Sequence, residues 1–259
     1  MSKNPAVLRS KKITVEFSGF KAINELDFQV NRNTVHFVIG PNGAGKTTLL
    51  DVICGNARAS KGSITFNEKY ELAKMSENEI VHRGISRKFQ APSVFAHLTV
   101  FENLEIAMKQ KKTLRSILRA KMTKEEEQKL TDMLDLIGLT SEKDKSAGSL
   151  AHGQKQWLEI AMVLMQEPDL VLLDEPIAGM SKQERIKTGE LITKIAKERA
   201  VLIVEHDMDF VKDYADVVTV MHEGQLLFEG SMEDVQKDPK VREVYLGRKV
   251  DADAEVTGT

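Results

Sequence analysis

The chain of 259 residues predicts an α/β fold: a mainly parallel sheet, an antiparallel β subdomain and an inserted α-helical subdomain. Three observations carry that prediction. Short apolar runs, "VHFVIG", "LVLLDE" and "VLIVEH", are separated by helix-length stretches, the pattern of buried parallel strands joined by crossover helices. Near the start, two segments alternate with period two, as strands with one buried face do. From about Val100 to Gly138 a heavily charged stretch keeps its apolar residues at helical spacing.

In chain order, Ile13, Val15 and Phe17 interleave with Thr14 and Glu16, and Leu26, Phe28 and Val30 with Asp27 and Gln29. This reads as an antiparallel pair. "VHFVIG" is a more fully buried strand, "KTTLLDVIC" a helix, "SITF" a short strand before a helical stretch, and "ISRKFQ" a strand ending at Gln90. Leu104, Met108, Leu114, Leu118, Leu130, Leu134 and Ile137 supply the apolar faces of the helical region. "VVTVMHEGQLLFEG" reads as a hairpin turning at Gly224. A last helix starts near Ser231, where Ser-Met-Glu-Asp resembles a capping box with Asp for Glu. The expected organisation is one domain. Residues 1–90 and 166–230 form the core, 91–165 the helical subdomain, 231–247 a terminal helix and 248–259 a disordered tail.

Composition narrows the function classes. Apolar content is 41%, charged content 29% and net charge −2, so no overall basic footprint points to nucleic acid. Cys54 is the one cysteine, which excludes a disulfide within the chain and a cysteine-rich zinc site. No signal peptide and no run of about eighteen apolar residues is present, so work at a membrane requires binding another subunit.

"GPNGAGKTT" fits G-x-x-x-x-G-K-[ST] from Gly40 to Thr47, with the expected strand before it and helix after. Gly40, Pro41, Asn42, Gly43, Ala44, Gly45, Lys46, Thr47 and Thr48 form the candidate phosphate cradle. Glycines let backbone N–H groups close on phosphate oxygens, Lys46 places a positive charge at the β and γ phosphates, and the Thr47 hydroxyl can ligate Mg²⁺. The core is therefore read as a P-loop NTPase. "LVLLDE" delivers Asp174 at the end of a buried strand, suited to Mg²⁺. Glu175 follows; there it can orient or deprotonate water, or be a plain solvated carboxylate. His206 ends "VLIVEH" on a strand expected beside that of Asp174, within reach of a γ-phosphate. In "SLAHGQKQWLEI" a glycine and a glutamine mark the start of an amphipathic helix, a second phosphate-facing helix end.

In this order, "GPNGAGKTT", Gln90, "LAHGQ", "LVLLDE" and "VEH" resemble the nucleotide-binding domain of ABC transporters over about the first 230 residues. The resemblance implies ATP and Mg²⁺ as cofactors and ATP hydrolysis as the activity. It assigns Thr47, Gln90 and Asp174 to the metal environment, Glu175 to the hydrolytic base and His206 to the γ-phosphate switch. Lys46 and Gln90 join them in the catalytic set. Phe17 aligns with the aromatic that stacks on adenine, although it equally suits the core of its strand. Leu150, Ala151, His152, Gly153 and Gln154 become a signature acting in trans on the ATP of a second, identical or paralogous ATPase subunit in a head-to-tail dimer. Two transmembrane permeases, and indirectly a solute-binding protein, are the further partners implied, with the chain peripheral on the cytoplasmic face of the inner membrane.

Three positions depart from the family pattern. Ala151 stands where serine is usual and His152 where glycine is, so a hydroxyl contact to the partner's ATP is lost and a new donor gained. Ser181 closes "IAGMS" where aspartate or asparagine is usual. "EPIAGMS", a charged insertion near 109–125 and the closing "VYLG" resemble the branched-chain amino-acid importer group. Within it, "HGQKQWLEIAMVLMQEP" looks most like the ATP-binding subunit of urea-type importers. Trp157 reads as a helix anchor in the core. Lys109, Lys111, Lys112, Arg115, Arg119 and Lys121 read as a solvated helical face, or as one near anionic headgroups. "APSVFAHLTVFENL" is expected to open the helical subdomain and to form part of a permease groove. A soluble ABC-type ATPase lacks support from tandem domains, zinc cysteines or a basic groove, and a small-molecule kinase leaves "LAHGQ" unexplained.

Overall fold

A computed structural model of the chain describes residues 4–88, 94–109 and 122–244. Gln90, Leu114, Leu118, the basic residues from Lys111 to Lys121, "VYLG" beyond Val244 and the predicted tail lie outside the described residues.

Two sheets are present among them. β1 (Ala6–Phe17), β2 (Phe20–Asn31), β4 (Lys61–Phe66) and β5 (Tyr70–Glu71) form an antiparallel sheet in the order β2-β1-β4-β5. The second sheet has six strands in the order β10-β9-β3-β8-β7-β6. Its members are β3 (Val35–Ile39), β6 (Ile85–Lys88), β7 (Leu170–Asp174), β8 (Ala200–Val204), β9 (Val217–His222) and β10 (Gln225–Gly230). All its pairings are parallel except β10 on β9, as the apolar runs and the hairpin predict. The hairpin turns on Glu223 and Gly224, both at positive φ.

The continuous apolar strands exist because each faces two cores. On β7, Leu170 and Leu172 point into a core shared with the antiparallel sheet and α1 (Lys46–Cys54). Val171 and Leu173 point the other way, into a core shared with α4 (Lys124–Ile137), α5 (His152–Leu164) and α6 (Lys182–Ala196). Strand and helix limits follow local chemistry. Capping boxes start α2 (Glu77–Arg83) at Ser76, α3 (Val100–Ala107) at Thr99, α4 at Thr123 and α6 at Ser181. Leu104, Leu130, Leu134 and Ile137 are buried as the helical spacing predicts. Trp157 anchors α5, its ring nitrogen donating to Thr188 Oγ1 at 2.9 Å.

Two local expectations change. The alternation of β1 places Phe17 on the buried face with Ile13 and Val15, yet Phe17 is 52% exposed. Register shifts interrupt β1 between Ile13 and Glu16, and Phe17 ends up opposite Phe20 at the tip of the hairpin, past the core. The terminal helix is not continuous. Ser231 Oγ caps α7 (Met232–Lys237) by accepting the Asp234 N–H at 3.2 Å, but the helix stops there. Pro239 prevents continuation, and a new helical turn begins with the Asp238 carboxylate accepting the Val241 N–H at 3.0 Å.

Candidate active site

The phosphate loop runs from the end of β3 into α1. It is wedged so tightly that side chains are excluded at two points. A Cβ on Gly40 would lie 2.2 Å from the Met221 carbonyl oxygen, and one on Gly45 2.4 Å from that of Ala22. Gly45 caps α1 in the left-handed conformation, and no acidic residue occupies the first turn. The helix end therefore presents N–H groups and an uncompensated positive dipole end to the loop. Lys46 Nζ arches back to donate to the carbonyls of Gly40 at 2.7 Å and Pro41 at 3.0 Å. Asn42, Gly43 and Thr47 are exposed beside it.

Asp174 ends β7 and is almost fully buried. Its Oδ2 accepts from Arg87 Nη2 at 2.8 Å, and Arg87 Nη1 reaches Asp51 of α1 at 2.5 Å. Burial pushes the Asp174 carboxyl above its usual range, while the Arg87 guanidinium opposes the rise. Among the described residues, the buried Asp174 Oδ1 has no hydrogen-bond partner. A hard cation or its water shell supplies what that oxygen lacks, so the all-oxygen pairing of Thr47 hydroxyl and Asp174 carboxylate fits Mg²⁺.

Glu175 follows at φ 47, and its N–H donates to the Val204 carbonyl at 3.0 Å. The turn brings the carboxylate out of the sheet, and its side chain is 38% exposed. β8 lies beside β7 with Asp174 opposite Val204, as the sequence predicts. His206 Nδ1 consequently stands 3.6 Å from Glu175 Oε1. Glu205, between them in sequence space and 1% exposed, accepts the Ile177 N–H at 3.3 Å and the His206 N–H at 3.1 Å. Burial raises its pKa; the two backbone donors counter the rise. Glu205 thus ties the segment after Glu175 to the His206 backbone.

The segment Leu150–Gln154 starts α5. Ala151 occupies the cap position without a side-chain acceptor, and its N–H donates to Gln154 Oε1 at 3.0 Å. His152 Nε2 contacts the Ala178 carbonyl at 3.0 Å. Gly153 is buried, and a Cβ there would lie 2.3 Å from Glu184 Oε1. Leu150 packs into the core beneath.

Phosphate loop, Asp174, Glu175 and His206 sit at the carboxyl ends of β3, β7 and β8, the usual crevice of an open α/β sheet. Phe17 is exposed at a hairpin tip, and Gln90 lies outside the described residues. Sequence reading passed over Arg87 and Glu205. An arginine between a serine and a lysine and a glutamate before a histidine carry no signal until the strand pairing sets them against Asp174 and Ile177.

Fold and site together define a P-loop ATPase. Residues 23–178 match the ABC transporter family model, and residues 225–251 match that of the branched-chain amino acid ATP-binding cassette transporter. The chain is 37% identical over 251 residues to the "Probable branched-chain amino acid transport ATP-binding protein LivG" of Methanocaldococcus jannaschii, covering 93% of this chain and 97% of the relative. It is 32% identical over 244 residues to the high-affinity LivG protein of Salmonella typhimurium, covering 91% and 95%. A crystal structure of the ADP conformation of an ATP-binding cassette from an ABC transporter superposes with TM-score 0.81 at 35% identity, covering 94% of this chain and 99% of that one. The chain belongs to the ABC transporter ATP-binding proteins, in the branched-chain amino-acid importer type. It is an ABC ATPase, with ATP and Mg²⁺ as its cofactors.

Proposed function

We propose that this chain is the motor subunit of an importer, in which two ATPase subunits close head to tail around ATP and drive two permeases. The observation that carries the proposal is the Glu175–His206 pair at the ends of adjacent strands, beside the phosphate loop. Lys46 and the amides from Gly40 to Thr48 bind the phosphates, and Phe17 offers an exposed ring for the adenine. Thr47, Gln90 and Asp174 would hold Mg²⁺, which would supply charge neutralisation at the phosphate oxygens. Glu175 orients the attacking water and takes its proton. His206 contacts the γ-phosphate and holds Glu175 in place. Leu150, Ala151, Gly153 and Gln154 complete the site of the partner subunit, while His152 between them turns to Ala178 of its own chain.

No helix among the described residues is long and apolar enough to cross a membrane. Attachment therefore falls to the permease groove. Phe95, 50% exposed, and Ile106, 55% exposed, present apolar surface there. Asn103 fixes the segment that carries Phe95, accepting the Phe95 N–H at 2.8 Å and donating to its carbonyl at 3.1 Å.

For the solute, the names of the relatives favour branched-chain amino acids, which now stand ahead of urea. The stretch "HGQKQWLEIAMVLMQEP" supports urea as the second reading. Vesicles holding this chain with its cognate permeases, a second ATPase subunit and solute-binding protein test both. ATP-dependent uptake of leucine supports the first reading, uptake of urea the second, and ATP turnover with no dependence on permeases overturns the motor assignment.

A further inference from the structure

We infer that His152 and Glu184 form a latch that fastens the signature helix to the loop following Glu175 of the same chain, making His152 a positioning residue for hydrolysis. The inference rests on the motor reading above and deepens it. His152 replaces a small residue, which frees its ring to cross to a neighbouring segment. Its Nε2 lies 3.0 Å from the Ala178 carbonyl oxygen. A carbonyl only accepts, so the contact fixes the Nε2–H tautomer. Gly179, at φ 72, makes room: a Cβ there would stand 3.2 Å from that same nitrogen.

The second point of attachment is Glu184, in the first turn of α6. Its Oε2 accepts the Ser181 N–H at 2.9 Å and the Ser181 hydroxyl at 2.7 Å. Its Oε1 lies against Gly153, with no room for a side chain between. Hydrogen bonds from the Ser181 hydroxyl and N–H, and from the Gly153 backbone, hold this carboxylate below its usual range. Ser181 and His152, both departures from the family pattern, thus belong to one contact set within the chain.

The loop between these points is stiff. Ala178 N–H donates to the Glu175 carbonyl at 3.2 Å, and Met180 N–H to that of Ile177 at 3.1 Å. Glu205 pins it from below at Ile177. A displacement of the α5 start therefore moves Ala178, and with it the backbone that carries Glu175. Arrival of a partner's phosphate at Gly153 is in this way transmitted to the chain's own catalytic carboxylate.

The test uses the full chain with ATP and three forms: wild type, His152→Ala and His152→Gln, whose amide restores a donor of similar reach. His152→Ala lowers kcat about fivefold to tenfold, the effect of one hydrogen bond, while KM for ATP stays unchanged. His152→Gln recovers most of kcat. ATP-driven dimerisation in a Glu175→Gln background is the same with and without His152→Ala. A rise in KM or weaker dimerisation would mean that His152 touches the partner's nucleotide directly and would overturn the latch, as would an unchanged kcat. Imidazole nitrogen shifts in the isolated wild-type chain separate this inference from the motor reading. An Nε2–H tautomer at His152 supports the contact even where transport fails, and a freely exchanging ring refutes it even where transport succeeds.

Discussion

Arg87 Nη2 lies 2.8 Å from Asp174 Oδ2, which places one guanidinium between the buried carboxylate at the end of β7 and Asp51 of the helix that follows the phosphate loop. The ion pair is 5% and 1% exposed, so neither partner has water to fall back on. Removing the arginine leaves a buried charge uncompensated. Arg87→Met is expected to lower unfolding stability by about 3 kcal/mol, and adding Asp174→Asn to restore much of it. Urea denaturation of the single and double variants checks this.

The 3.6 Å separation of His206 Nδ1 and Glu175 Oε1 sets the catalytic expectation. Glu175→Gln removes the base while keeping the shape. Phosphate release is expected to fall by about 10²-fold or more, with KM for ATP little changed. Equal activity in the variant would remove Glu175 from the chemistry.

His36 sits fully buried on β3, its Nε2 2.8 Å from Thr219 Oγ1. Burial lowers its pKa from 6.5 to about 3. In the unfolded chain His36 gains a proton below pH 6.5, whereas in the fold it stays neutral down to about pH 3. Its contribution is therefore fully present above the unfolded value and shrinks as pH falls toward the folded one. Between pH 7 and pH 5 the loss is about 2 kcal/mol. Glu229, raised by burial and near the same ring, acts with the opposite sign, since its protonation favours the fold. Comparing wild type with His36→Gln isolates the histidine: the variant's stability is expected to depend less on pH across this range.

Ala151 caps α5 with no side-chain acceptor. Ala151→Ser supplies one, adding about 1 kcal/mol to helix stability and a hydroxyl toward a partner's nucleotide. Sedimentation of the Glu175→Gln form with ATP is expected to show tighter dimers; an unchanged association constant would leave only the cap.

Much of the site was legible because its parts sit where local pattern changes. The phosphate loop joins an apolar strand to a helix, and Asp174 and His206 each end a run of apolar residues, so position in the sheet followed from the strands alone. For Phe17 only the core alternative fails, because alternation assumes an unbroken register and β1 shifts register before reaching it. Arg87, Glu205 and Glu184 were invisible for another reason. Each works through a contact across 28 or more residues, or through a backbone amide, and neither leaves a periodic trace. His152 was noticed as a departure, but its direction, inward to Ala178, could come only from the fold.

On the proposed mechanism, one chain's pocket is finished by another chain's signature. ATP turnover per chain, measured across a dilution series spanning dimer dissociation, tests it most directly. The expected result is a specific activity that falls toward zero as chains separate, and that is lost at every concentration in Gly153→Asp. Constant activity per chain on dilution, unaffected by that substitution, would contradict it.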